Sequence, residues 1–189
     1  MMQRRQVLGA GAALFLAAEA RAQSGLWTEW LGNYTGAVRF YRSIPLEDIY
    51  PPPKHPHVDL EDSTPVAIYF SIRAEDGGAV VWLRIDGGPM QTSYEGETLR
   101  FTPLFDGFAS LISAQAHPAP RSATLTIHPD SLGTEALFSF ADGSFWRRHF
   151  NVHFTPTGAD VIIWVFDAAG TRARTWRGSA RRDQGRGPT

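Results

Sequence analysis

Short segments of alternating apolar and polar residues, separated by glycine-containing turns, recur along most of this 189-residue chain. In the segment 66–73 (VAIYFSIR), every second residue from Val66 to Ile72 is large and apolar, a pattern typical of a half-buried β-strand. Asp-Gly pairs supply the positive φ angles that tight hairpin turns need. Such pairs stand at Asp86-Gly87, Asp106-Gly107 and Asp142-Gly143. The pattern therefore predicts an antiparallel meander of about ten strands.

The length of this meander predicts how its edges are protected. A long antiparallel sheet must close on itself or stack on a second sheet, because an open edge exposes unpaired backbone groups. We therefore predict an all-β fold, an up-and-down barrel of about ten strands, with a β-sandwich as the alternative. No helical periodicity follows residue 25, although residues 26–31 are compatible with one short helical turn. The Pro-rich, acidic segment 45–65 carries no strand pattern, and loops of this length often act as lids or binding loops.

The N-terminal 22 residues have the layout of an export signal. Arg4 and Arg5 precede an apolar run over residues 7–18, and Ala20-Arg21-Ala22 offers small residues for cleavage. The Arg-Arg start and the weakly hydrophobic Gly/Ala-rich run resemble a twin-arginine signal, with a Sec signal or an uncleaved anchor as alternatives. We predict an export signal at 1–22, one barrel domain at 23–181, a flexible tail at 182–189, and a periplasmic or secreted bacterial protein.

The composition excludes several classes of function. The chain has no cysteine, which rules out disulfides, thiolate metal sites and cysteine nucleophiles. Without residues 1–22 it carries 15 basic and 18 acidic residues, so no basic surface for nucleic acid is expected. The apolar run 7–18 is short for a membrane span, and no transmembrane segment is expected in the mature chain.

Two short motifs are similar to those of calycin-type β-barrels. Residues 30–36 (WLGNYTG) resemble the Leu-Gly-x-Trp-x-Gly entry to the first strand, with Tyr34 in place of the family's Trp. The closing residues 171–182 (TRARTWRGSARR) resemble the Arg-bearing last strand of lipocalin-like and nitrobindin-like proteins. The resemblance implies a closed barrel around a small-molecule site. Nitrobindin-like barrels bind haem through a His near the C-terminus, and this chain has no His after His153, so no cofactor is expected.

The segment 146–154 (WRRHFNVHF) raises the question of a metal site, because His149 and His153 lie four residues apart. A helix would bring both imidazoles to one ion, but the alternation of this segment indicates a strand. Residues four apart in a strand lie about 13 Å from each other, whereas each zinc-bound nitrogen lies about 2 Å from the metal. We therefore predict that these two histidines share no metal ion.

Two arginines interrupt apolar strand faces. Arg148 alternates with Trp146 and Phe150, and Arg42 continues the strand face of Phe40. A charge among inward-facing apolar residues must be paired, so each arginine needs a carboxylate, a network of acceptors or a ligand. Fatty-acid-binding barrels of the calycin group hold a ligand carboxylate with interior arginines, and these two are similar in placement. The alternative is a rim arginine whose guanidinium reaches water.

These observations predict an exported barrel that binds a small, largely apolar or amphiphilic ligand, with or without an acidic head group. The predicted ligand-binding residues are Arg42, Arg148, Trp82, Phe101, Trp146, Phe150 and Trp164, with no metal ligand and no assigned catalytic residue. Two alternatives stay open. One is a cofactor-independent isomerase or lyase that uses a buried His or Tyr, for which a buried His149 would argue. The other is a non-catalytic envelope protein whose barrel is filled by its own side chains.

Overall fold

The alternating segments form one antiparallel sheet that closes on itself. A computed structural model describes residues 28–43, 59–61, 64–76, 78–86, 96–116 and 118–183. From the third strand onward each strand pairs with the next along the chain, and the last strand pairs back with the first. The predicted all-β, up-and-down barrel is therefore confirmed, and the sheet closes without stacking on a second one.

The described part of the chain contains one short 3₁₀ turn and eleven strands. The turn is Thr28–Trp30, and the strands are β1 (Gly32–Ser43), β2 (Asp59–Glu61), β3 (Val66–Glu75), β4 (Gly78–Ile85), β5 (Glu97–Pro103), β6 (Phe108–Gln115), β7 (Ser122–His128), β8 (Ser131–Ser139), β9 (Phe145–Thr155), β10 (Gly158–Phe166) and β11 (Arg172–Arg182). Ten of them, β1 and β3 to β11, form the closed barrel, and β2 pairs with the last residues of β1. The helical turn expected within residues 26–31 and the strand expected for WRRHFNVHF are both confirmed.

Glycines allow the first and last strands to approach closely where the barrel closes. Gly36 of β1 and Gly178 of β11 lie on the two sides of this seam. A Cβ atom at Gly36 would lie 2.0 Å from the carbonyl oxygen of Ser179, and one at Gly178 would lie 1.9 Å from that of Ala37. No side chain fits at such distances, so the close approach of the two backbones requires glycine at both positions.

One end of the barrel, which carries the 3₁₀ turn and is called the closed end here, is filled by aromatic rings. Trp30 stacks on Phe154 with 4.6 Å between ring centroids, and Tyr34 stacks on Phe70 at the same distance. Phe150 meets the edge of Phe70 at 5.5 Å and continues the cluster toward the middle of the barrel. Because aromatic side chains bury the largest apolar areas, this cluster dominates packing at the closed end.

The opposite end, called the loop end, holds the turn between β8 and β9, the turn between β10 and β11, and the start of β5. The segments 44–58, 62–63 and 87–95 lie outside the described residues. The prediction that 45–65 contains no strand is wrong at β2, because residues 59–61 extend the sheet beside β1.

The predictions for the two chain ends fall largely on residues outside the described ranges. The export signal at 1–22 lies wholly outside them, as do residues 184–189 of the expected tail. The first residues of that tail are ordered against β1: Arg182 pairs with Tyr34, and the backbone nitrogen of Asp183 donates to the carbonyl oxygen of Asn33 at 2.9 Å. Across the described ranges, no helix has the length and apolar character needed to span a bilayer.

Candidate functional site

Four of the seven predicted ligand-binding residues lie on the inner face of the barrel. Phe101 and Phe150 are buried in the core at 2% and 1% exposure, and Trp146 packs against that core while remaining half-buried. Arg148 lies between Trp146 and Phe150 on the same face of β9 and is 5% exposed. Alternation along the strand therefore predicts the inner face of β9 correctly.

The structure does not place the other three predicted residues on the inner face. Trp82 alternates with the core residues Val81 and Leu83, which places it on the outer face of β4. Trp164 is likewise on the outer face of β10, since its neighbours on both sides are buried in the core. Both indoles therefore lie on the outside of the sheet and do not line the barrel interior. The backbone of Arg42 pairs with Arg174 of β11, while its side chain lies outside the described part of the chain.

Arg148 is compensated by a carboxylate of the chain itself. Its guanidinium forms a two-point ion pair with Glu97, in which Nη1 donates to Oε2 at 2.9 Å and Nη2 donates to Oε1. Glu97 is the first residue of β5 and is 4% exposed. The pair thus joins two strands across the inside of the barrel, near the loop end. Two-point geometry of this kind gives the strongest Arg–carboxylate contact, so the charge of Arg148 is already neutralised.

The ring of Phe138 completes the surroundings of this ion pair. The guanidinium carbon of Arg148 lies 5.0 Å from the ring centroid, a distance typical of a cation–π contact. The Nε atom of Arg148 is buried and has no hydrogen-bond partner among the described residues. Arg148 therefore donates one N–H from each Nη atom to Glu97 and presents the face of its guanidinium to Phe138.

A second interior arginine, Arg174, has no such carboxylate. It lies on β11 on the same face as the buried Trp176 and opposite the core residue Val165. Its guanidinium carbon lies 5.2 Å from the ring centroid of Trp146. Within the described ranges it makes no ion pair. Stacking uses the flat face of a guanidinium and leaves its in-plane N–H donors available, so Arg174 is a cation at the loop end that can still bind an anion.

Sequence reasoning missed both Glu97 and Arg174. Glu97 begins the alternating run Glu97, Leu99 and Phe101, so the pattern itself marks it as inward-facing. The same holds for Arg174, which alternates with Trp176. The signal was present in each strand, but which residues meet across the barrel depends on strand tilt and register.

His149 and His153 lie on the outer face of β9 and contact different carboxylates. Nε2 of His149 lies 3.9 Å from Glu135, and Nδ1 of His153 lies 3.8 Å from Asp130. Burial lowers the pKa of His149, while the Glu135 carboxylate opposes that shift and Arg147 adds to it. The described residues contain no group of three or more acidic or histidine side chains placed to hold one metal ion.

Tyr34 is the interior tyrosine of the closed end. Its hydroxyl donates to the carbonyl oxygen of Trp30 at 3.0 Å, and its ring is 1% exposed. Burial raises its pKa, and the nearby Arg182 partly opposes the shift. These contacts assign Tyr34 to the aromatic packing of the closed end, away from the charged residues of the loop end.

No protein-family model matches the chain, and no curated protein matches it at a significant level.

Proposed function

We propose that the protein binds a small amphiphile with an acidic head group at the loop end of its barrel. The observation that carries the proposal is the stacked pair of Arg174 and Trp146, in which a half-buried cation lies beside a half-buried indole and forms no ion pair with a carboxylate of the described residues. The closed ten-strand barrel is compatible with the calycin-like resemblance of the two sequence motifs.

The charge balance of the interior favours an anion. Among the described residues, Arg148 and Glu97 cancel one another, whereas Arg174 forms no ion pair and adds a positive charge at this end of the barrel. A half-buried guanidinium is less hydrated than one on the surface and therefore interacts more strongly with an incoming carboxylate. Arg42, which neighbours Arg174 in the β1–β11 ladder, remains the second predicted head-group contact.

Packing of the core favours a ligand that lies across the loop end. The aromatic cluster of the closed end fills the barrel as far as Phe150, which is 1% exposed. Apolar rings nearer the loop end are less buried, namely Trp146 and Phe40. The apolar part of the ligand would therefore lie against Trp146 and Phe40, and the head group would reach Arg174.

The alternative of catalysis on this barrel has less support. A buried histidine inside the barrel would favour it, but His149 lies on the outer face of β9. The alternative of a filled barrel without a ligand is consistent with the packed closed end. The binding experiment described next distinguishes it from the proposed ligand site. Export through the signal at 1–22 remains part of the proposal.

Titration with dodecanoate tests the proposal, with binding followed by calorimetry and by tryptophan fluorescence. Arg174→Met should weaken binding by about tenfold or more, because a hydrogen bond to a charged group contributes roughly 1.5–3 kcal/mol. Arg177→Met is the matched control, since Arg177 lies on the same strand, is exposed, and stacks on Tyr41 at 5.8 Å on the outer face. Equal affinities for the two variants, or no binding to the wild-type protein, would leave the filled barrel as the better account.

A further inference from the structure

An open groove of about 390 Å³ lies on the outer face of strands β7 to β10, on the other side of the sheet from the proposed ligand site. It is called the outer groove below. Its polar lining includes Thr124, Thr126, Ser131, Glu135, His149 and Asn151. The volume lies within the roughly 300–1,000 Å³ of small-molecule sites.

Gly133 lines the groove between outward-facing residues of the two neighbouring strands. Gly133 is an interior residue of β8, with Thr126 and Asn151 as its partners on the neighbouring strands. Side chains at these positions point outward, so the missing side chain leaves a hollow ringed by the polar neighbours. Glycine inside a strand weakens it and often marks the close approach of a backbone or a ligand.

Close approach of a backbone explains four other glycines within strands but not Gly133. A Cβ atom would lie about 2 Å from a backbone oxygen of another strand at Gly36, Gly78, Gly158 and Gly178. At Gly133 the nearest atom is Oδ1 of Asn151 at 3.1 Å, with no backbone atom of another strand within 4 Å. Its φ angle is not in the left-handed region either. Neither packing nor backbone conformation therefore requires glycine here.

The side chain of Asn151 supplies an unused donor in the groove. Its Nδ2 atom is buried and has no hydrogen-bond partner among the described residues. A buried polar atom without a partner costs free energy, and a ligand that accepts a hydrogen bond would remove that cost. Oδ1 of the same amide lies over Gly133, so the amide offers both a donor and an acceptor to a molecule in the hollow.

We propose that the outer groove binds a neutral saccharide, with Gly133 providing the space and Asn151 the central hydrogen bonds. The lining combines donors and acceptors: hydroxyls of threonine and serine, one amide, three imidazoles and two carboxylates. A molecule with many hydroxyl groups matches such a lining because each hydroxyl both donates and accepts.

Charges around the groove argue against other ligand classes. Glu135 already lies 3.3 Å from Nε of Arg147, so it offers little to a cation. Asp160, which also lines the groove, is exposed and disfavours an anion, while the described residues hold no group of three or more acidic or histidine side chains placed to bind a metal cation. Burial holds the pKa of His149 below its usual value, so its ring is neutral near neutral pH and can donate or accept a hydrogen bond.

NMR titration of the ¹⁵N-labelled protein with maltose and with chitobiose tests this assignment. At least one of the two should shift the side-chain amide signals of Asn151 in a saturable manner. Gly133→Ala, which places a methyl group in the hollow, should weaken that binding by about tenfold or more. Asn151→Asp, which removes the Nδ2 donor, should weaken it as well. Ser139→Ala is the matched control, because Ser139 is exposed on the same face of β8 and does not line the groove.

Each result decides for or against the proposal. Loss of binding in Gly133→Ala with an unchanged melting temperature and normal binding by Ser139→Ala would support it. Absence of any shift of the Asn151 amide with both sugars, or equal binding by Gly133→Ala and wild type, would overturn it. Binding of dodecanoate concerns the inner face and is unaffected by either outcome.

Discussion

Arg148 and Glu97, 51 positions apart in the chain, form a two-point ion pair across the inside of the barrel. Their side chains are 6% and 5% exposed. Removing two charges from water costs several kcal/mol, and a two-point contact in the interior offsets much of that cost. The pair therefore adds little net stability, and its main effect is to hold β5 and β9 in a fixed position relative to each other.

The first prediction concerns the loss of one partner of this pair. Arg148→Met leaves the carboxylate of Glu97 buried without a counter-charge, and we expect the free energy of unfolding to fall by about 3–5 kcal/mol. The double variant Glu97→Leu/Arg148→Met removes both charges and should unfold at a urea concentration close to that of the wild-type protein.

Arg100→Met is the control for that measurement. Arg100 pairs with Glu75 on the surface, where the side chains are 42% and 48% exposed. Exposed pairs contribute at most about 1 kcal/mol. A cost for Arg148→Met no larger than that for Arg100→Met would contradict the buried ion pair.

Alternation in the sequence predicts which residues of a strand face the core, because successive side chains point to opposite faces of the sheet. The inner positions of Trp146, Arg148 and Phe150 follow from this rule. The same rule places Trp82 and Trp164 on the outer face, because their neighbours Val81 and Val165 face the core. Alternation therefore predicts the face of an aromatic residue better than its hydrophobicity does.

Contacts across the barrel were not predictable from the sequence. The meeting of Arg148 with Glu97 requires the tilt and register of the strands between them, which depend on closure of the barrel. The seam glycines Gly36 and Gly178 illustrate the same limit. Closure of the barrel makes β1 and β11 neighbours, but only their register shows that these glycines lie against carbonyl oxygens of the opposite strand.

The second prediction concerns acid stability. Burial lowers the pKa of His149 below its usual 6.5, so the folded protein binds fewer protons at this site than the unfolded chain. The free energy of unfolding should therefore fall as the pH drops through about 6.5 toward the folded-state pKa. His149→Gln should reduce this fall, as measured by urea unfolding at a series of pH values between about 7.5 and 5. Parallel curves for the variant and the wild-type protein would show that His149 does not contribute.

The third prediction concerns metal binding. His149 and His153 lie on the outer face of a strand and contact different carboxylates, so they cannot bind one ion together. We expect any metal content to be the same in His149→Ala, His153→Ala and wild type. Elemental analysis that finds stoichiometric zinc lost in either variant would refute the prediction.

The fourth prediction concerns export. The mature protein should begin at Gln23, after Ala20-Arg21-Ala22. Replacing Arg4 and Arg5 with lysines should block export if the twin-arginine route is used. N-terminal sequencing of exported protein measures the cleavage site, and an intact Met1 would contradict it. Normal export of the Lys-Lys variant would exclude the twin-arginine route alone.

The most direct test of the proposed function measures whether the charge of the ligand acts through Arg174. Affinities of dodecanoate and of dodecanol for wild type and for Arg174→Met form a double-mutant cycle between the ligand head group and the arginine. We predict a coupling free energy of about 1.5 kcal/mol or more, with dodecanol binding nearly alike to both proteins. A coupling near zero, or a wild-type protein that does not bind dodecanoate, would contradict an acid-binding site at the loop end.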